Sequence, residues 1–165
     1  MHIIIQSTLK TLQKSKSLLE NLQDEILCNT TVGPYHSSIG THIRHILDFY
    51  DCIFSLDNNT IDLTARSRNK AVESKCSNAL SYLNSIVEEL SSIDFNMNNS
   101  VNVIDDLGVG KIEMKYTFGA VFSQANSHTI HHYAIINYIL EGLNISISDS
   151  EFGYNPTTPR SNILN

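Results

Sequence analysis

The amino-acid sequence predicts an all-α fold: a four-helix bundle with one long crossover and a small β-hairpin before the last long helix. Three observations predict it. Four stretches repeat their apolar residues at intervals of three and four, the period of a helix with one buried face. Only one stretch alternates apolar with polar residues, and it does so on both sides of a Gly-bearing turn. The length of 165 residues fits a single domain, 1–165, that buries about two-thirds of its unfolded surface without disulfides or a structural metal.

The first helix is expected over residues 4–27, where Leu9, Leu12, Leu18, Leu19, Leu22, Ile26 and Leu27 alternate with charged positions such as Lys10, Lys14 and Glu20. Asn29, Thr30 and Thr31, followed by Gly33 and Pro34, end it. Ser37 or Ser38 caps a second helix over 39–56, since a hydroxyl there accepts an orphan backbone N–H. Its apolar stripe is Ile39, Ile43, Ile46, Leu47, Tyr50, Ile53 and Phe54, and it also carries His42 and His45. Residues 56–69 are polar, rich in Asn and without period, which reads as a loop.

A third helix over 70–92 buries Val72, Cys76, Ala79, Leu80, Leu83, Ile86, Val87 and Leu90. Val101, Val103 and Ile104, then Ile112, Met114 and Tyr116, form the two arms of the hairpin about Gly108 and Gly110. Two strands alone are marginal in water, so the hairpin leans on the helices. Thr117 or Ser123 caps the fourth helix, which runs to Glu141, where Gly142 stops it. Residues 143–165, with Gly153, Pro156 and Pro159, are expected as an extended tail ordered against the helices or a partner subunit.

Composition narrows the function. Formal net charge is -6 and no Lys/Arg cluster occurs, which excludes a binder that tracks nucleic-acid phosphates. The three cysteines, Cys28, Cys52 and Cys76, are odd in number and lack a C-x-x-C pair; they read as core residues rather than a disulfide framework or zinc knuckle. The start, MHIIIQSTLK, has no basic n-region, and no apolar run reaches spanning length, so we expect a cytoplasmic chain with no membrane contact. Ser/His/Asp nucleophile motifs, glycine-rich phosphate loops and EF-hand loops are absent.

The chemistry lies in the histidines. His128 and His132 are four residues apart on the fourth helix, an offset of about 400° and about 6 Å that sends both imidazoles from one face toward one ion. His131 points about 100° away and cannot join that pair; it reads as a solvent-facing residue or a donor behind the ligands. His42 and His45 sit within the second helix's apolar stripe, where a buried imidazole needs partners for its nitrogens. If the second and fourth helices face each other, one of these two completes a three-histidine site with an open position for water. Periodicity does not choose between them. His36 reads as a solvated loop residue, and His2 as a terminal residue without a role. Asp48 orients a ligand nitrogen from behind or is an ordinary exposed helix residue.

SSIGTHIRHILDFYD, residues 37–51, together with SHTIHHYAIINYIL, residues 127–140, resembles the DinB-like superfamily, helical bundles that include bacillithiol and related thiol S-transferases. The resemblance covers helix order, crossover and both motifs. Such proteins typically bind a divalent metal through one histidine of the second helix and an H-x-x-x-H pair on the last long helix. By position the resemblance implies His45, in the context RHILD, and the pair His128 and His132 as metal ligands. It implies zinc or nickel as the ion, with manganese or iron as alternatives.

For the thiol transferases the implied chemistry is a cation that lowers the pKa of a small-molecule thiol, which then attacks an electrophile. Two functions are therefore expected to compete. One is a metal-dependent enzyme of the thiol-transferase or hydrolase kind. The other is a non-catalytic metal-binding or stress-related assembly module, with a homodimer as the expected partner state.

Overall fold

The computed structural model describes residues 1–159; the end of the expected tail, 160–165, lies outside the described residues. Its elements in chain order are α1 Ile3–Glu20, α2 Asp24–Leu27, α3 Ile39–Phe54, β1 Thr60–Asp62, α4 Ala71–Ser74, α5 Cys76–Ser92, β2 Ser100–Asp106, β3 Lys111–Thr117 and α6 Phe118–Gly142. Among the described residues, six helices and a three-stranded mixed sheet replace the expected all-α four-helix bundle.

The extra strand falls in the stretch read as a loop. β1 pairs parallel with β2, and β2 pairs antiparallel with β3, giving the order β1-β2-β3. Three residues are too few to show a period of two. What fixes β1 is burial: Ile61 and Leu63 are inaccessible, as are Val101 and Val103 on β2. A third strand thus covers one edge of a hairpin that would be marginal alone.

Two expected helices are each broken, and the breaks meet. The first stops at Asn21, whose N–H bonds Leu18 O and whose side chain bonds Ser17 O. The third is interrupted at Lys75, which is extended (φ -135, ψ 121). Between them, Asp24 of α2 accepts the backbone N–H of Cys76 at 2.8 Å and the Lys75 ammonium at 3.0 Å. α2 turns away from α1 so that its carboxylate can cap the start of α5, where a negative group is favoured.

α1 packs against α5 and α6, and α3 packs against the same two helices. The buried face of α1 runs Ile5, Thr8, Leu12, Ser15, Leu19, with the Ser15 hydroxyl 2.6 Å from Tyr133 Oη. Ser38, of the two serines considered, caps α3 by accepting Thr41 N–H at 3.0 Å. Thr117 rather than Ser123 caps α6. Gly142 does not stop α6, because the helix includes it. The chain leaves at Asn144 (φ 56), with Ile145 N–H bonded back to Leu140 O at 2.9 Å. The described part of the tail folds back, and Phe152 is buried in a stack on Tyr133. Cys52 and Cys76 are buried as expected, but Cys28 is exposed.

Candidate metal centre

α3 and α6 face each other, so the buried stripe of one meets that of the other. His45 projects from α3 and His128 and His132 from α6, and one ring nitrogen from each lies within 4.8 Å of the other two. The ring centroids are 4.9 Å apart for His45 and His128, 4.7 Å for His45 and His132, and 4.5 Å for His128 and His132. The Nε2 atoms of His128 and His132 are 3.1 Å apart. Two nitrogens bound to one tetrahedral zinc are roughly 3.3 Å apart, so the pair already has ligand spacing, and a ring nitrogen of His45 lies within 4.8 Å of both. Three imidazoles and no thiolate suit zinc, nickel and their neighbours alike. Among the described residues no fourth His, Cys, Asp or Glu joins them.

The rings are held neutral. Burial pushes His45 down to about 4, with the charge of Arg66 adding to it and with repulsion between protons on His45 and His128 disfavouring the doubly protonated pair. His128 also falls to about 4, first from burial and then from Arg66 and His131. His132 is pushed lower still, by burial and then by the surrounding histidines. Neutral imidazole is the form a metal requires, so the fold supplies it without proton release near neutral pH.

His42, which periodicity left open, stands behind the site rather than in it. Its Nδ1 lies 2.9 Å from His132 Nδ1, and its Nε2 lies 2.8 Å from Ser37 Oγ. If Nε2 of His132 offers a lone pair to an ion, its Nδ1–H must donate to His42 Nδ1. His42 Nε2–H then donates to Ser37. One chain of hydrogen bonds thus sets the tautomer of a candidate ligand. The sequence signal was present: His42 shares the buried stripe three residues before His45.

The other residues divide as follows. His131 is exposed, its ring 5.3 Å from that of His132. His36 is an exposed loop residue, and His2 caps α1 by accepting Ile4 N–H at 3.2 Å, a role not anticipated. Asp48 is neither exposed nor behind a ligand. It is fully buried and takes Arg44 Nη1 at 2.6 Å, Ser67 Oγ at 3.0 Å, Arg68 N–H at 3.3 Å and Tyr82 Oη at 3.2 Å. It therefore anchors the loop between β1 and α4 onto α3. That loop carries Arg66, which reaches His45 and which no sequence pattern singled out.

The fold and site together define a mixed α/β protein with a half-buried three-histidine cluster between two long helices. No protein-family model and no curated protein matches the chain. Among the described residues, no helix is long and apolar enough to cross a membrane.

Proposed function

We propose that this chain is a divalent-metal-binding protein related to the DinB-like superfamily, and that it is a metal-dependent enzyme of the thiol S-transferase or hydrolase kind. One observation carries the reading: three neutral imidazoles from facing helices converge to within 4.8 Å of one another. With no fourth protein ligand among the described residues, an ion there keeps a position for thiol or water, which favours catalysis over a closed structural site. The bound ion would act as a Lewis acid, lowering the pKa of that thiol or water.

The chain's own residues prepare the site. His42 and Ser37 orient His132, and the Phe49 ring, 5.0 Å from that of His128, excludes water from one wall. Among the described residues the hydrogen-bond partners of the three rings are His42, Arg66 and one another rather than a carboxylate. The test is elemental analysis after reconstitution with zinc, nickel, manganese or iron. About one equivalent per chain is expected in the wild type, lost in His45→Ala and in His128→Ala. A wild-type protein that holds no stoichiometric metal overturns the reading. The loaded protein is then assayed with pairs of thiols and electrophiles.

A further inference from the structure

The loop between β1 and α4 delivers one arginine to the histidine cluster. Arg66 is half-buried, and its Nε donates to Leu63 O at 3.1 Å. Its Nη1 lies 2.8 Å from Nδ1 and 3.1 Å from Nε2 of His45. An atom this close to both nitrogens of one imidazole must lie out of the ring plane, because an in-plane position would overlap the carbon between them. The guanidinium therefore rests on the face of His45, a surface on which arginine stacks well. The in-plane lone pair of His45 remains available to an ion.

The placement is built into the fold. On one side of Arg66, Leu63 N–H donates to Ile104 O at 2.9 Å, and Thr64 donates twice to Asp62 Oδ1, at 2.8 and 2.6 Å. On the other side, Ser67 and Arg68 are tied to Asp48. Both flanks are fixed, so the arginine head is aimed.

Its charge, however, is bonded to no carboxylate among the described residues. Arg66 makes no salt bridge among the described residues, whereas Arg44, on the neighbouring helix, is paired with both Asp48 and Glu73 at 2.6 Å. The two carboxylates whose fields reach the cluster are Asp48 and Asp105. Asp48 is fully engaged, and Asp105 accepts Asp106 N–H at the end of β2. A half-buried cation beside neutral rings, with no carboxylate bonded to it among the described residues, can take up an anion, and a bound ion would add more positive charge.

We propose that Arg66 is the anion-binding residue of this site and that it recognises the carboxylate of a small substrate beside His45. Arg66 suits that group because a guanidinium can donate two parallel hydrogen bonds to a carboxylate. The substrate sense of this assignment rests on the metal reading above; the anion site itself does not.

The test compares full-length wild type, Arg66→Gln and Arg66→Lys, with acetate as the probe. In the metal-free protein, acetate is titrated against the NMR resonances of the His45 and His128 rings. In the cobalt-loaded protein, it is titrated against the visible spectrum. Arg66→Gln is expected to weaken acetate binding about tenfold, with cobalt stoichiometry unchanged. Arg66→Lys, which keeps the charge, recovers part of the loss. Equal acetate affinity in all three proteins overturns the proposal. Acetate binding through Arg66 in a chain that takes up no cobalt overturns the metal reading and leaves this one standing.

Discussion

Nδ1 of His42 lies 2.9 Å from Nδ1 of His132, so a side chain of α3 sets the orientation of a candidate ligand on α6. Partners of this kind typically change metal affinity by about 10–100-fold when removed. His42→Ala is therefore expected to weaken zinc binding by about that factor while leaving all three ligands in place. His42→Gln retains an acceptor oxygen and should recover part of the loss. Competition with a chromophoric chelator measures both, and a change below about twofold in His42→Ala would show that His132 needs no such support.

The metal-free protein should lose stability in mild acid. His45 and His128 are held near 4 in the folded chain, against about 6.5 when unfolded, because burial disfavours their charged forms. The unfolded chain thus binds more protons below about pH 6.5. Stability is full above that value and is lost as pH falls from about 6.5 toward 4. Urea midpoints at pH 7.5, 6.0 and 5.0 should fall in that order, and the fall should be shallower in His128→Gln, whose amide does not titrate. An equal slope in the two proteins would remove the histidines as the cause.

The candidate site was largely legible in the sequence, because an i, i+4 pair and a histidine within an apolar stripe both follow from helical period. His45, His128 and His132 do meet, as the resemblance implied. The long helices were legible for the same reason. The hairpin of β2 and β3 was legible from its alternation about Gly108 and Gly110, but the third strand was not, since Thr60–Asp62 is held by burial of Ile61 and by pairing with β2, neither of which leaves a local pattern. Nor were the helix breaks, because Asp24 caps α5 across 52 positions of sequence. Arg66 and the bonds of Ser67 and Arg68 to Asp48 escaped for a like reason: these partners lie about 20 residues apart, across a loop with no period.

Asp48 is fully buried and its carboxylate pairs with Arg44, itself nearly buried, at 2.6 Å. Breaking such a pair by removing one partner costs on the order of 3–5 kcal/mol, and Glu73, which also pairs with Arg44, should hold the loss near the lower end. Asp48→Ala is expected to lower unfolding stability by about 3 kcal/mol in urea. It also releases Ser67 and Arg68, so limited trypsin should cut at Arg66, Arg68 or Lys70 well before it cuts the wild type. Unchanged stability with an unchanged cleavage pattern would contradict the anchoring role.

Gly40 sits where α4 crosses the first turn of α3, and the crossing leaves no room for a side chain. A Cβ there would overlap the carbonyl of Glu73 and lie 2.8 Å from its Cα. Backbone cannot swing aside as a flexible side chain can, so α4 would have to lift from α3. That shift would pull Glu73 from Arg44 and loosen the segment that ends the Arg66 loop. Gly40→Ala is therefore expected to destabilise by about 1–3 kcal/mol, even though alanine favours the helix itself. The control is Ala120→Gly, at an exposed position in the first turn of α6, where only helix propensity changes and the loss should stay at or below about 1 kcal/mol. Thermal unfolding of the two variants beside the wild type decides the point: a Gly40→Ala protein as stable as the wild type would mean that the α3 and α4 backbones are not in contact.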